Sequence, residues 1–195
     1  MVYHNLNITG ILKHYDAVLV ACFSVHPLVN RLAEMEGIPS KQAVTGIFEA
    51  SILTCLSLLP PQRKWGIVTT GKFWEDHLTQ GVNVFLGTEP QSPNTKFAGV
   101  ETTGLTAGDF HGGIEPAVIR EKLKEATRRL LARGGVECVV MGCAGMAGLE
   151  EIIRSAAVEE YGVERGNQLL VIDGVRAGIG LLEQTVRNKR AFQRT

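Results

Sequence analysis

The sequence is short of cysteine: four thiols, Cys22, Cys55, Cys138 and Cys143, in 195 residues. That is too few for a scaffold built on disulfides. No Cys-x-x-Cys pair is present, and the five histidines are scattered without a metal-binding spacing. Cys138 and Cys143 lie on one expected strand at a spacing that turns their side chains to opposite faces, which argues against zinc. No metal site is expected. An excess of either charge is lacking too. Twenty Lys and Arg balance twenty Asp and Glu without a long basic run, which sets nucleic acid aside as a partner. No apolar run approaches the roughly 20 residues a membrane helix needs, so no membrane association is expected. The opening Met1-Val2-Tyr3-His4-Asn5-Leu6 has no charged start followed by an apolar stretch. No signal peptide is read there, and a cytoplasmic protein is the expectation.

Against these absences stands a hydrophobic content of 45%, ample for a buried core in one compact domain or two small lobes. Residues 16–22 form an apolar run that suits a strand buried on both faces. Ser24 is a candidate helix N-cap with Pro27 in the first turn. That helix is expected to run to about Glu36, with Leu28, Leu32 and Met35 on one face, and to stop at Gly37 and Pro39. A short strand at 43–47 leads into a buried helix at 48–58, which Pro60-Pro61 ends. Residues 65–71 read as a strand closing on Thr69, Thr70 and Gly71, followed by a helix carrying Phe73, Trp74, His77 and Leu78. Past a tract rich in Pro, Ser and Asn, a weaker strand at 97–103 runs into a glycine-rich loop at 104–113. Val118, Leu123, Ala126, Leu130 and Leu131 give helical periodicity across 116–133, with Gly134-Gly135 as the stop. A strand ending at Cys143, a helix at 148–161, a strand at 169–174 and a helix at 175–188 complete the chain.

Strands alternate with helices throughout, which argues an α/β fold of parallel sheets flanked by helices. Sites in such sheets lie beyond the C-terminal ends of the strands. Cys22, Gly46, Thr69-Thr70, Cys143 and Asp173-Gly174 all fall at such ends. The order strand, Cys, helix, strand, Gly, helix occurs twice. It runs through Cys22 to Thr45-Gly46-Ile47-Phe48-Glu49-Ala50, and again through Cys143 to Ile172-Asp173-Gly174-Val175. Two pseudo-symmetric lobes are therefore expected, with the active site in the cleft between them. Residues 1–60, completed by 171–195, would form the lobe of the first cysteine, and 61–170 that of the second. The second half opens with the strand Ile67-Val68-Thr69-Thr70. The first lobe is expected to lack its counterpart.

In these motifs the chain resembles the Asp/Glu/hydantoin racemase superfamily, in its hydantoin and allantoin racemase branch, fungal members included. Val20-Ala21-Cys22-Phe23-Ser24 resembles the first catalytic-cysteine motif, and Val140-Met141-Gly142-Cys143-Ala144-Gly145-Met146 the second. Gly46-Ile47-Phe48-Glu49-Ala50 resembles a Gly-Ile-x-Glu-Ala segment, Ile67-Val68-Thr69-Thr70 an Ile-Val-Thr-Thr strand, and Val171 to Val175 the closing strand. Two departures stand out. Ser24-Val25-His26-Pro27 replaces the Gly-Asp-Pro-Gly of bacterial members, and the family's opening strand ending in Asn-Pro-Asn has no counterpart here.

The resemblance implies a racemase that removes a proton from one face of a carbon and returns one to the other. A thiolate and a thiol flanking the substrate at about 3–3.5 Å each would sit roughly 7 Å apart. Cys22 and Cys143 are the implied catalytic pair. Ser24, Val25, Thr69, Thr70, Gly142, Ala144 and Glu49 are the implied substrate-binding residues, Glu49 with the alternative role of holding the site's shape. Thiols at strand-to-helix turns are expected to favour the thiolate, and the N–H groups there to stabilise an enolate. A hydantoin-type ring is the implied small-molecule partner, with allantoin leading. Its C5 proton lies beside a carbonyl, so no cofactor is needed. Self-association as a homo-oligomer is also implied.

Other readings stay open on the residues alone. Cys55 and Cys138 read as core hydrophobes. His26 beside Cys22 is the arrangement of a Cys–His hydrolase. The loop 104–113 lacks a GxGxxG phosphate signature and reads instead as a cover over the cleft. A racemase of another small acid and a non-catalytic paralogue are the remaining alternatives.

Overall fold

The protein is described here by a computed structural model that covers residues 8–12, 14–35, 42–88 and 94–193. In chain order the elements are α1 (Ile8–Leu12), β1 (Ala17–Val20), α2 (Pro27–Ala33), β2 (Ala43–Gly46), α3 (Ile47–Leu58), β3 (Lys64–Thr69), α4 (Phe73–Phe85), β4 (Phe97–Thr102), α5 (Pro116–Leu131), β5 (Val136–Met141), α6 (Glu150–Tyr161), α7 (Val163–Asn167), β6 (Leu170–Asp173) and α8 (Gly174–Phe192). Short 3-10 turns occupy Gly108–His111 and Ala144–Met146. The strands form a two-stranded sheet, β1-β2, and a four-stranded sheet in the order β4-β3-β5-β6. Every pairing is parallel. The expected α/β class of parallel sheets flanked by helices is the observed one.

Both faces of the larger sheet are covered, which is why its strands read as unbroken apolar runs rather than alternating ones. Trp65, Ile67, Cys138 and Val140 pack on one face against Phe48, Ile52 and Cys55 of α3 and Leu78 and Val82 of α4. Val68, Val139 and Met141 pack on the other against Leu123, Ala126 and Leu130 of α5 and Ile153 and Ala157 of α6. Leu123 and Leu130 are fully buried, each stabilising the fold by about 1.5–3 kcal/mol. Gly66 lets α5 come close, since a Cβ there would meet Leu130 Cδ1 at 2.5 Å.

Each sheet sends its last helix to the other. α3 follows β2 but lies on the larger sheet, whereas α8 follows β6 and returns to the smaller one. There a Cβ at Gly178 would meet Leu19 Cδ1 at 2.5 Å. Lys189 Nζ donates to the Gln42 carbonyl at 2.8 Å, and Arg190 pairs with Asp16 at 3.2 Å. β6 itself is paired in the larger sheet, so the returning segment is α8 rather than 171–195 as a whole.

Several local expectations shift. The N-cap of α2 is His26, whose Nδ1 accepts the Leu28 N–H at 3.2 Å, and not Ser24. Pro27 supplies the fixed φ of the first helical turn. The helix stops at Ala33 with Glu34 as C-cap, short of Glu36; Gly37 and Pro39 lie outside the described residues. The expected helix start at 148 is α6 at Glu150, because the turn Ala144–Met146 intervenes. α8 opens on Asp173, whose carboxylate accepts the Arg176 N–H at 2.8 Å. Among the described residues, no helix is long and apolar enough to cross a membrane.

Candidate active site

Parallel register brings the strand ends together. Thr69 stands opposite Thr102, Val68 opposite Met141, Met141 opposite Asp173 and Val20 opposite Gly46. Cys143 follows β5 at the turn Ala144–Met146, and Cys22 follows β1. Cys22 is exposed and Cys143 half-buried. The electrostatic influence of Cys22 reaches Cys143 and disfavours a second negative charge there. The field of Cys22, at the end of the smaller sheet, thus reaches Cys143 at the end of the larger one.

The Cys22 side is a tight turn. Ser24 N–H donates to the Cys22 carbonyl at 3.0 Å, and Ser24 Oγ lies 3.4 Å from Cys22 Sγ. Phe23 between them is buried and meets Phe48 edge to face, with ring centroids 5.6 Å apart. That contact fixes the turn to α3. Val25 is exposed and seats its methyl against Gly81 of α4, where a Cβ would collide with it. The hydrogen-bonding neighbour of the Cys22 sulfur is therefore Ser24. His26 spends its Nδ1 on capping α2, and among the described residues no hydrogen bond pairs it with Cys22 as a hydrolase would require.

Glu49 sits at the third position of α3 and turns back onto the helix start, its Oε2 against the Gly46 backbone, where a Cβ would clash. Glycine at the N-cap makes this possible. Burial raises the Glu49 carboxyl above its ordinary value, partly offset by the Glu49 and Gly46 backbone N–H groups and the nearby His26. Oε2 is buried without a hydrogen-bond partner among the described residues. Its observed contacts are those of a residue that shapes the site.

On the Cys143 side, Thr69 Oγ1 donates to the Gly142 carbonyl at 2.6 Å, and Gly142 N–H donates to the Val68 carbonyl at 2.8 Å. A Cβ on Gly142 would lie 2.7 Å from both Ile67 Cγ2 and Thr69 Cβ, so only glycine fits. Thr69 and Gly142 hold the backbone that presents Cys143. Thr70 is also buried, and its carbonyl accepts the Gly104 N–H at 3.0 Å. Ala144 packs on the core beside Cys143.

Burial pushes the Cys143 thiol above its ordinary value. The Gly145 N–H to its sulfur lowers it in part, and Cys22 adds to the rise. This corrects the expectation of a favoured thiolate. Cys143 opens a single 3-10 turn rather than an α-helix, so it has one N–H and no macrodipole to stabilise its charge.

Cys55 and Cys138 are fully buried with their sulfurs 3.2 Å apart, inside the core as expected. The sequence reading missed His111. It lies in the turn Gly108–His111, which packs on the turn Ala144–Met146. Glycine content marked its loop as a cover, but no spacing ties position 111 to position 143. A cavity of about 870 Å³ lies elsewhere, between α3, α6, β6 and α8, and neither motif cysteine lines it.

Residues 7–182 match the Asp/Glu/Hydantoin racemase family model. An uncharacterised protein of Schizosaccharomyces pombe is 36% identical over 172 residues, 88% of this chain and 63% of that protein. The hydantoin racemase of Paenarthrobacter aurescens is 28% identical over 180 residues, 88% of this chain and 61% of its own length. The solved allantoin racemase of Pseudomonas fluorescens superposes with a TM-score of 0.66 at 26% identity, covering 89% of this chain and 63% of that one. The chain spans less than two thirds of the length of these three relatives.

Proposed function

The chain belongs to the Asp/Glu/hydantoin racemase family, and from that premise we propose a cofactor-independent racemase of 5-substituted hydantoins, allantoin first among them, with Cys22 and Cys143 as its two acid/base groups. The observation that carries the reading is the placement of the two motif cysteines just past the C-terminal ends of β1 and β5, Cys22 exposed and Cys143 half-buried. Residues 1–60 with α8 and residues 61–173 then act as two lobes that each bring one thiol to the ring, in a cytoplasmic protein that self-associates.

In the first half-reaction the Cys22 thiolate takes the C5 proton, and the electron pair passes into the neighbouring carbonyl as an enolate. Cys143 gives its own proton to the opposite face of C5 and is left as the thiolate. The raised pKa of Cys143 supports its starting as the protonated partner, and coupling to Cys22 opposes ionising both at once. For the other enantiomer the roles exchange. Ser24, Thr70 and the backbone N–H beyond Cys143 are the polar groups offered to the ring, and Val25 an apolar wall. Thr69, Gly142 and Glu49 hold their positions.

The test is loss of optical rotation of (R)- and (S)-allantoin and of a 5-alkyl hydantoin in deuterated water. Loss of rotation with deuterium appearing at C5 is expected. Loss for a panel of small amino acids instead would move the substrate elsewhere in the family. Cys22→Ser and Cys143→Ser proteins that racemise as fast as the parent would overturn the two-thiol mechanism.

A further inference from the structure

The contact between the turns Gly108–His111 and Ala144–Met146 is made where a side chain is missing. A methyl group built on Gly145 would lie 3.0 Å from His111 Nε2, 3.3 Å from the Ala107 carbonyl oxygen and 3.6 Å from Cys143 Sγ. The imidazole nitrogen and the catalytic-motif sulfur therefore border one methyl-sized space, kept open because residue 145 is glycine. The loop that brings His111 there is anchored. Phe110 packs on the core of Leu123, Val139 and Met141, and the Asp109 carboxylate accepts the Thr106 N–H at 2.7 Å. Gly112 and Gly113, both at positive φ, lead the chain away. His111 is exposed, and its ring nitrogens engage no hydrogen-bond partner among the described residues.

We propose that His111 is a positioning residue for Cys143, its Nε2–H donating to the Cys143 sulfur when that sulfur is the thiolate. This rests on the reading of Cys143 as an acid/base group. The Cys143 thiol has one donor, the Gly145 N–H, which does not offset its burial. A thiolate left there after proton delivery needs a second. A neutral thiol is a weak acceptor, and in the resting protein the imidazole nitrogens stay unengaged among the described residues. A thiolate is the stronger acceptor and draws the donor to itself. The other half-site differs, since Cys22 has the Ser24 hydroxyl at 3.4 Å as its neighbour. The two faces of the reaction thus use different donors, and Gly145 is the position that admits the imidazole.

The experiment measures iodoacetamide alkylation of Cys143 and of Cys22 at neutral pH, resolved by peptide mass spectrometry, in the full chain and its His111→Leu and His111→Gln variants. Loss of the donor in His111→Leu is expected to slow Cys143 about tenfold, by removal of one charge-assisted hydrogen bond to the thiolate. His111→Gln, which keeps an N–H, restores most of the rate, and Cys22 is unchanged in both. Equal rates in Leu and Gln variants, or slowing of Cys22 as large as that of Cys143, overturn the proposal. The readout needs no turnover. Gln rescue in a protein that racemises no hydantoin sinks the substrate reading alone, and full racemase activity without any His111 effect on Cys143 sinks this inference alone.

Discussion

Thr69 hands its hydroxyl proton to the carbonyl of Gly142, at 2.6 Å, one residue before Cys143. The bond ties the end of β3 to the turn that follows β5, and both groups are buried where water cannot replace either. Thr69→Val keeps the shape and leaves the Gly142 carbonyl without that donor. Unfolding in urea is expected to show a loss of about 1–2 kcal/mol. Racemisation is expected to fall about tenfold or more, because a thiol displaced by a fraction of an ångström loses its alignment with C5. Thr69→Ser, which retains the donor, restores both. A valine variant as fast and as stable as the parent would show that the bond does not position Cys143.

Glu49 makes stability depend on pH in a direction unusual for a carboxylate. Its folded pKa is raised above the ordinary 4.5, first by burial. The unfolded chain therefore releases this proton at lower pH than the folded one. Its favourable contribution is complete below about 4.5 and is lost as pH rises through the folded value. Glu49→Gln removes that dependence. The urea midpoint of the variant is expected to gain on the parent's between pH 4 and pH 7, and a constant difference across that range would contradict the burial argument.

The motifs made the strand tips legible because a chemical need and a topological position coincide there. Cys22, Thr69, Thr70 and Cys143 end apolar runs, and parallel register carries Thr69, Thr70 and Cys143 to one edge of the larger sheet, with Cys22 at the C-terminal end of the smaller one. Residue roles were less legible. Thr69 and Thr70 read alike in the sequence, yet the Thr69 hydroxyl is committed to the Gly142 carbonyl, while Thr70 engages the Gly104 N–H through its backbone carbonyl. Ser24 looked like a cap because serine usually is one, but His26 directly before Pro27 had a nitrogen in better place. His111 was invisible for a different reason. Its approach to Cys143 depends on a contact between two irregular turns, and neither leaves a periodic signal.

Cys22 restrains the ionisation of Cys143. Cys143 is raised first by burial and also by Cys22, so removing Cys22 takes away one of the upward influences. In Cys22→Ser the alkylation of Cys143 is expected to reach half its plateau rate at a lower pH than in the parent. The remaining midpoint should still lie above that of the same peptide unfolded, since burial and not Cys22 is the larger cause. An unchanged or raised midpoint in Cys22→Ser would mean that the thiols do not share a site.

The four cysteines should separate into two classes when each is replaced. Cys55 is fully buried against Cys138 in the apolar core. Cys55→Ala leaves a small void and is expected to lower stability by about 1–2 kcal/mol. Its racemisation rate per folded molecule should stay within twofold of the parent, because neither sulfur of that pair lines the strand-tip edge. Cys22→Ser does the reverse. Its side chain is exposed, so stability should move by no more than about 0.5 kcal/mol, while the rate falls by about 100-fold or more with the loss of one acid/base group. Cys143→Ser is expected to match it in rate. Urea midpoints and rates measured on the same preparations decide the matter. Should Cys55→Ala lose the rate while Cys22→Ser keeps it, the division drawn between core thiols and reacting thiols is reversed.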